Sequence, residues 1–282
     1  MDVRPRLAAA AAVLVLAGCS SSSSSPSASS SAEPGGASVR PTPSASADPS
    51  PSAVTDPAYL ALGDSVAAGV GADDPAQTAY VPVLAGLLAD RLGCGTGACP
   101  VRNLAVPGAT TETLLRDQLP AALELLRGGG DVRLVTVTVG GNDVFVPILQ
   151  ACARTPEAPS CAEAVRAALG EVDAGVDRLL GDLTGAAGPG TPVAVMTYYD
   201  PLPACRLAPL SPLAVQVLEG RAGEDGLNDV LRARAAEHGA VVVETGERLT
   251  APEDFVGGLD CLHPSTSGHA RIAEAFADAV GS

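Results

Sequence analysis

The stretch Tyr59-Leu-Ala-Leu-Gly-Asp-Ser65 decides the fold, because it has the composition of a short buried strand that ends in a tight turn. Its apolar residues end at Leu62, and Gly63, Asp64 and Ser65 follow directly. Four more short apolar runs lie downstream, at residues 101–105, 132–139, 192–198 and 240–244. We expect each of these runs to form a strand.

Segments of helical length separate the predicted strands, at residues 79–92, 111–127, 161–183, 214–238 and 266–280. The run 132–139 is apolar almost throughout, as in a strand that is covered on both faces. The alternation predicts an α/β fold with three layers, in which helices cover both faces of a five-stranded parallel sheet, as in flavodoxin-like proteins. Ligands bind beyond the carboxyl ends of strands in such sheets, so the loops there are the candidate functional regions.

The composition excludes one class of partner. The chain has 282 residues and a formal net charge of -15, and it shows no dense basic patch. Because nucleic acids are bound by neutralising their phosphates, we expect no nucleic-acid partner. Hydrophobic residues make up 46% of the chain, which is enough for a sizeable core.

The N-terminus has the pattern of an export signal. Arg4 and Arg6 precede an apolar run at residues 7–17, which is too short to span a bilayer. The ending Leu16-Ala17-Gly18-Cys19 resembles a bacterial lipobox. The resemblance implies a signal peptide at residues 1–18, cleavage before Cys19, and a lipid on its thiol that anchors the chain to a membrane.

A linker and one domain follow the predicted anchor. Of the 38 residues from 20 to 57, 32 are Ser, Ala, Pro, Gly or Thr, so residues 19–57 are expected to form a disordered tether. Its typical reach is roughly 35 Å. Residues 58–282 show no second break of this kind and are expected to form a single domain on the extracellular face of the cell membrane.

Six cysteines lie in the predicted domain, and an even number in an exported chain suggests three disulfides. They are Cys94, Cys99, Cys152, Cys161, Cys205 and Cys261. Loop closure favours near neighbours, so we expect Cys94 with Cys99 and Cys152 with Cys161, which leaves Cys205 with Cys261. A metal site is the competing interpretation, but neither Cys-x-x-Cys nor His-Glu-x-x-His spacing occurs.

Ser65 is a candidate nucleophile because it lies at a predicted strand end, with a helix expected to begin behind it. A serine needs a histidine base that is oriented by an acid. Of the three histidines, His238 ends a predicted helix and His269 is expected at a surface or packing position, whereas His263 follows Asp260 by three residues in one loop. The alternatives are a turn at Gly63-Asp64-Ser65 and a loop ion pair that caps the last helix.

Two further loops offer donors for the oxyanion of an acyl-transfer reaction. Gly108 follows the second predicted strand and supplies a backbone N–H, and Asn142 follows the third and supplies an amide. Gly140-Gly141-Asn142-Asp143 is also ordinary turn chemistry. Beside it, Val144, Phe145 and Val146 are candidates for an acyl pocket or for plain core packing.

Together these motifs resemble the SGNH or GDSL hydrolase family. The matching stretches are Tyr59-Leu-Ala-Leu-Gly-Asp-Ser65, Asn103-Leu-Ala-Val-Pro-Gly108, Val139-Gly-Gly-Asn-Asp143 and Asp260-Cys-Leu-His-Pro264. The resemblance implies a Ser65, His263 and Asp260 triad and an oxyanion hole formed by the Ser65 N–H, the Gly108 N–H and the Asn142 amide. Three disulfides are similar to those of secreted actinobacterial members. Val66 departs from the family name, which expects Leu, and Gly-x-Ser-x-Gly is absent.

The sequence therefore predicts a carboxylic-ester hydrolase that forms an acyl-enzyme on Ser65. We expect a small-molecule or lipid ester as substrate, no metal or organic cofactor, and a monomer. A chain without Trp has little material for the aromatic platforms of sugar-active sites, which favours aliphatic acyl esters. The alternatives are an acyltransferase or a deacetylase acting on cell-envelope glycans or lipids, a binding lipoprotein without turnover, and a structural envelope spacer.

Overall fold

Five short parallel strands form the central sheet of the computed structural model. The structure describes residues 58–281 except residues 96, 98, 153, 156, 157 and 222, and the side chains of residues 146 and 149 are not described. The strands are β1 (Tyr59–Gly63), β2 (Val101–Asn103), β3 (Leu134–Thr138), β4 (Val193–Met196) and β5 (Val241–Val243). The predicted signal peptide, the lipidation site at Cys19 and the linker lie outside the described residues.

The strand order is β2-β1-β3-β4-β5, which is that of flavodoxin-like sheets, the fold class predicted from the sequence. Every residue of β1, β3 and β4 is buried, whereas the edge strands β2 and β5 are partly exposed. Because β1 and β3 are neighbours in register, Gly63 pairs with Thr138 and their following loops emerge side by side. The fold class is therefore as predicted.

In the part of the chain that the structure describes, eight α-helices complete the three layers. They are α1 (Tyr80–Leu87), α2 (Thr111–Asp117), α3 (Leu119–Arg127), α4 (Gly141–Cys152), α5 (Pro159–Ala186), α6 (Ser211–Glu219), α7 (Leu227–His238) and α8 (Thr266–Gly281). On one face of the sheet α1 packs on α8, where Tyr80 stacks on Phe276 with ring centroids 5.1 Å apart. On the other face α5 packs against α2, α3, α4 and α7. Among the described residues, no helix is both long and apolar enough to cross a membrane.

Two predicted helices are interrupted. The predicted helix 111–127 ends at Asp117 and restarts at Leu119, because Pro120 has no N–H to donate and its ring displaces the preceding turn. The predicted helix 214–238 is divided into α6 and α7 at Gly220, whose φ of +76° belongs to the left-handed region and ends α6.

Two elements near the sheet edge differ from the sequence prediction. Gly141-Asn142-Asp143 begins helix α4 instead of a loop, and Asp143 in its first turn suits the positive end of the helix dipole. Residues 255–264, predicted as a loop, contain a short antiparallel hairpin of β6 (Phe255–Gly257) and β7 (Asp260–Pro264). Asp260 and His263 therefore lie on one strand, and Asp260 directly follows the turn at Gly258 and Leu259.

All three predicted disulfides are present. The Cα atoms are 5.2 Å apart in Cys94–Cys99, 5.0 Å in Cys152–Cys161 and 5.4 Å in Cys205–Cys261. The third bridge joins the segment after β4 to the middle of β7. It thereby ties the hairpin to the body of the domain.

Candidate active site

Ser65 lies in the turn that follows β1 at the carboxyl edge of the sheet. The sequence suggested a helix directly behind it, but residues 64–71 form a series of turns, closed by a hydrogen bond from the Val70 N–H to the Ser65 carbonyl at 2.9 Å. Buried Gln118 holds the start of this turn, because its side-chain amide both accepts from the Gly63 N–H at 2.9 Å and donates to the Gly63 carbonyl at 2.8 Å. These hydrogen bonds thus fix the end of β1 from which the chain continues to Ser65.

The hairpin brings the predicted base and acid to this serine. His263 Nε2 lies 3.0 Å from Ser65 Oγ, and His263 Nδ1 lies 2.8 Å from Asp260 Oδ2. The two residues joined by the first distance are 198 positions apart in the chain. This serine, imidazole and carboxylate have the order and spacing of a catalytic triad.

Backbone N–H groups of the same strand stabilise the ionised form of Asp260. Its Oδ1 atom accepts the backbone N–H groups of Leu262 at 3.0 Å and of His263 at 3.1 Å, which leaves Oδ2 for the imidazole. Partial burial acts to raise the pKa of Asp260, but the hydrogen bonds from Leu262 and His263 outweigh it, so this pKa lies below its ordinary value. An ionised Asp260 fixes the proton of His263 on Nδ1 and leaves Nε2 free to accept.

The other two histidines are accounted for elsewhere. His269 is fully buried in α8; its Nδ1 accepts the Tyr80 N–H at 3.3 Å and its Nε2 donates to the Val70 carbonyl at 3.0 Å. It is therefore a packing residue, one of the two positions expected from the sequence. Burial lowers the pKa of His269, which keeps the ring neutral.

His238 pairs with Asp177 at 2.7 Å, and Glu237 completes a group of three metal-ligand side chains with atoms within 4.8 Å of one another. Arg234 also lies in this group and pairs with both Glu237 and, at 3.8 Å, Asp177. The cluster is thus an ion-pair network that already contains its cation.

The predicted oxyanion donors lie around the serine turn. Asn142 is in the first turn of α4, and its amide donates one N–H to the Ala109 carbonyl at 2.9 Å, which leaves the second N–H available. Gly108 adjoins Ala109 and has a φ of +80°, with open space where a Cβ would lie. Within the described part of the chain, the N–H groups of Ser65 and Gly108 have no hydrogen-bond acceptor. The participation of Gly108 in an oxyanion hole stays a prediction.

Asn103 joins the second strand to the same turn. Its Nδ2 donates to the Ala67 carbonyl at 2.7 Å, and its Oδ1 accepts the Ala105 N–H at 3.0 Å. The loop that carries Gly108 is consequently fixed to the segment just behind Ser65. The motif at residues 103–108 also contacts the motif at residues 59–65 directly, because the Val106 N–H donates to the Gly63 carbonyl at 3.0 Å.

Buried Asp64 was not recognised from the sequence as more than part of a motif. One carboxylate oxygen accepts the Val66 N–H and the Thr138 hydroxyl, each at 2.9 Å, and the other accepts the Tyr198 hydroxyl. Burial raises the pKa of Asp64, and these hydrogen bonds oppose the shift. Burial together with the charge of Asp64 raises the pKa of Tyr198 well above its ordinary value, so the phenol remains a donor.

A narrow cleft of about 60 Å³ opens beside Ser65 and His263. Its apolar walls are contributed by Val66, Phe145, Pro201, Leu218 and Leu262. Val144 is fully buried and belongs to the main core, so of the predicted acyl-pocket residues whose side chains are described, Phe145 alone lines the cleft. Pro201 and Leu218 bracket a segment that no sequence motif had marked.

Tyr198, Tyr199 and Thr138 are site residues that sequence reasoning missed. Each follows or ends a strand of the sheet, at the edge where the motifs were sought. Their position relative to the strands was therefore the available signal. None of the three lies in a stretch that matches the family motifs.

Comparisons with known proteins identify a family. Residues 61–271 match the model of the GDSL-like lipase/acylhydrolase family. The comparison with curated proteins gives no match.

Solved structures with the same fold include a lipase from a goat rumen metagenome, an extracellular lipase from Streptomyces rimosus and a phospholipase A1 from Streptomyces albidoflavus. Their TM-scores are 0.58, 0.56 and 0.54, and their identities to this chain are 20%, 23% and 22%. The matches cover 78%, 78% and 80% of this chain and 96%, 98% and 100% of the respective structures. At these identities the likeness shows the fold. The family match over residues 61–271 shows that the chain belongs to the GDSL-like lipase/acylhydrolase family.

Proposed function

We propose that the protein hydrolyses carboxylic esters through an acyl-enzyme on Ser65. The observation that carries the proposal is the continuous contact from Asp260 to His263 to Ser65, at 2.8 Å and 3.0 Å. This arrangement gives a hydroxyl a base that is already in the accepting tautomer.

In the first half of the reaction, Ser65 Oγ attacks the ester carbonyl carbon while His263 Nε2 takes the serine proton. The carbonyl oxygen becomes an oxyanion, and the proposed donors to it are the Ser65 N–H, the second N–H of Asn142 and the Gly108 N–H. The imidazolium, stabilised by Asp260, then protonates the departing alkoxide. The products of this half are an alcohol and acyl-Ser65.

In the second half, a water molecule takes the place of the alcohol. His263 Nε2 accepts a proton from the water as its oxygen attacks the acyl carbon. The tetrahedral intermediate collapses, His263 returns the proton to Ser65 Oγ, and the carboxylic acid leaves. All atoms and charges balance without a cofactor.

The cleft supports esters with aliphatic groups as substrates. Its walls are apolar, and the adjoining segment 201–218 contains a single charged residue, Arg206, in a chain with 49 charged residues in total. On the neighbouring hairpin, Leu259 is 84% exposed and Val256 is 46% exposed. An ester with an alkyl chain would remove part of this apolar surface from water.

The test is a pair of measurements on the full chain. Ser65→Ala should abolish hydrolysis of a short-chain chromogenic ester without changing the melting temperature. A fluorophosphonate should label the wild type at Ser65 and leave the variant unlabelled. Retained turnover in the variant would refute the nucleophile, and a folded wild type that neither turns over nor reacts would support the binding-lipoprotein alternative.

Transfer of the acyl group to an alcohol uses the same acyl-enzyme, so the product decides between the two reactions. We expect free acid to dominate when a competing alcohol is added. Esters of graded chain length, presented together with acetylated glycans, would identify the preferred class and test the deacetylase alternative.

We also propose that the protein is exported and anchored through a lipid on Cys19, with residues 20–57 as a tether. The support is the sequence pattern alone. The wild type should incorporate a labelled fatty acid and the Cys19→Ala variant should not. A wild type that is exported without incorporating the label would refute the anchor.

A further inference from the structure

Tyr198 connects two parts of the candidate site that come from different strands. It lies two residues beyond β4, and its hydroxyl donates to Asp64 Oδ2 in the turn that carries Ser65. The other oxygen of Asp64 accepts the Val66 N–H and the Thr138 hydroxyl. The carboxylate next to the serine is thus held from the ends of both β3 and β4.

The same aromatic ring lies against the start of α4. A Cβ atom placed on Gly141 would lie 2.7 Å from Cε1 of Tyr198, so the ring packs directly on the Gly141 backbone. Asn142, whose amide is the side-chain oxyanion donor, is the next residue. The Tyr198 side chain therefore contacts the turn that carries Ser65 through its hydroxyl group and the N-terminus of α4 through its ring.

The main chain of Tyr198 is itself fixed by a buried amide. The Tyr198 N–H donates to Asn228 Oδ1 at 2.7 Å, and Asn228 Nδ2 donates to the Tyr198 carbonyl at 2.8 Å. Asn228 is fully buried in α7, and its Nδ2 also donates to Glu219 Oε1 at 2.6 Å. Glu219 in turn pairs with Arg232 at 3.1 Å.

We propose that Tyr198 is a positioning residue that sets the spacing between Ser65 and Asn142, and that Asn228 holds it in place. The inference rests on the proposed function. The spacing between Ser65 and Asn142 matters because the donor groups must lie at hydrogen-bond distance from an oxyanion that forms only during the reaction. A displacement of about 1 Å at such a site can cost about 100-fold in rate. Tyr198 also lines the cleft, but its hydroxyl and ring contact Asp64 and Gly141, and we infer that it acts through these two residues.

The test compares Tyr198→Phe with Tyr59→Phe in the full chain. Both tyrosines are buried and both changes remove one buried hydroxyl; that of Tyr59 lies 2.8 Å from Thr136 Oγ1 in the core. Tyr198→Phe should lower kcat by roughly 10- to 100-fold, the effect of one hydrogen bond to a charged group, and change KM less than about 3-fold. Tyr59→Phe should lower the melting temperature and leave kcat within about 3-fold of the wild type.

Two further variants make the test independent of folding losses. Asn228→Ala removes both hydrogen bonds to the main chain of Tyr198 without altering any side chain in the cleft. It should also lower kcat at nearly constant KM. Asp64→Asn combined with Tyr198→Phe should be no slower than the slower single variant, because both changes break the same contact.

A kcat of Tyr198→Phe within about 3-fold of the wild type, an effect confined to KM, or fully additive losses in the double variant would each overturn the proposal. If Tyr198→Phe does not fold, an unchanged kcat in Asn228→Ala would overturn it instead. Failure of the proposed function is a separate result: the wild type would not hydrolyse esters, while the rate of fluorophosphonate labelling at Ser65 would still compare the variants.

Discussion

Replacing Asp260 by Asn tests the assignment of acid and base most directly, because the structure dictates how the new amide must lie. Asp260 Oδ1 accepts two backbone N–H groups, from Leu262 and His263. An Asn amide would keep its oxygen there, since an NH₂ group facing two N–H donors would leave both unpaired. Its NH₂ group would therefore face His263 Nδ1 and donate to it.

That donation reverses the imidazole tautomer, so that Nε2 carries the proton and cannot accept one from Ser65. Turning the amide over would cost about 2 to 6 kcal/mol for the two unpaired donors. This corresponds to a factor of roughly 30 to 2 × 10⁴ in favour of the unproductive tautomer. We therefore expect Asp260→Asn to lower kcat by about that factor, and to be at least as severe as Asp260→Ala, which leaves the tautomer free.

The assay is steady-state hydrolysis of a short-chain ester, with melting curves to confirm folding. Asp200→Asn is the matched control, because Asp200 Oδ1 accepts the Leu202 N–H at 3.0 Å in the same two-residue geometry but contacts no imidazole. It should retain kcat within about 3-fold. Asp260→Asn with more than a tenth of the wild-type kcat, or clearly faster than Asp260→Ala, would refute this account of the pair.

Three other predictions concern the surroundings of the triad. Asn142→Ala should lower kcat by about 10²- to 10³-fold with a small change in KM, and a loss below 10-fold would contradict its role as oxyanion donor. Replacing Cys205 and Cys261 together by Ala should reduce the free energy of unfolding by up to about 4 kcal/mol, given a sequence separation of 56, and should also lower kcat. Denaturant titration measures the first effect and steady-state kinetics the second. Unchanged activity would show that the catalytic hairpin does not depend on this disulfide. Burial raises the pKa of Asp64, so the folded state binds a proton at this carboxyl more tightly than the unfolded state does. The free energy of unfolding of the wild type, relative to that of Asp64→Asn, should therefore increase as the pH falls from the folded-state pKa to about 3.9, the ordinary value. A relative stability that is constant or decreases as the pH falls would contradict the shift.

The parallel sheet and the residues of the candidate triad could be predicted because they depend on local patterns, whereas the order of the strands depends on how each crossover packs on the sheet. Each buried strand is a short β-rich run, and Ser65, Asp260 and His263 stand in compact motifs of suitable chemistry. The disulfides followed from chain proximity, which left a single long bridge. These features need little knowledge of distant contacts.

The elements that were missed depend on competition between local signals. Gly141-Asn142-Asp143 suits a turn and a helix N-terminus equally, and packing on Tyr198 and α5 decides for the helix. The strands β6 and β7 have three and five residues, too short for a clear alternation. The break at Gln118, by contrast, was readable from Pro120.

Asn228 and Tyr198 show what sequence reasoning of this kind does not reach. Asn228 contacts Tyr198 across 30 positions and Tyr198 contacts Asp64 across 134, and neither residue carries a local signature of these contacts. Buried polar side chains in helices and at strand ends are common, and only the coordinates show which backbone groups they satisfy.

The placement of base and acid three residues apart on one strand has a consequence for how the site tolerates motion. If the hairpin lifts away from the sheet, the imidazole and its carboxylate travel as a preassembled unit, and the ring keeps its orientation and tautomer throughout. Within the triad, only the contact between Ser65 and His263 would break and re-form. Recovery after such a fluctuation is then a single docking event, with no proton to relocate first.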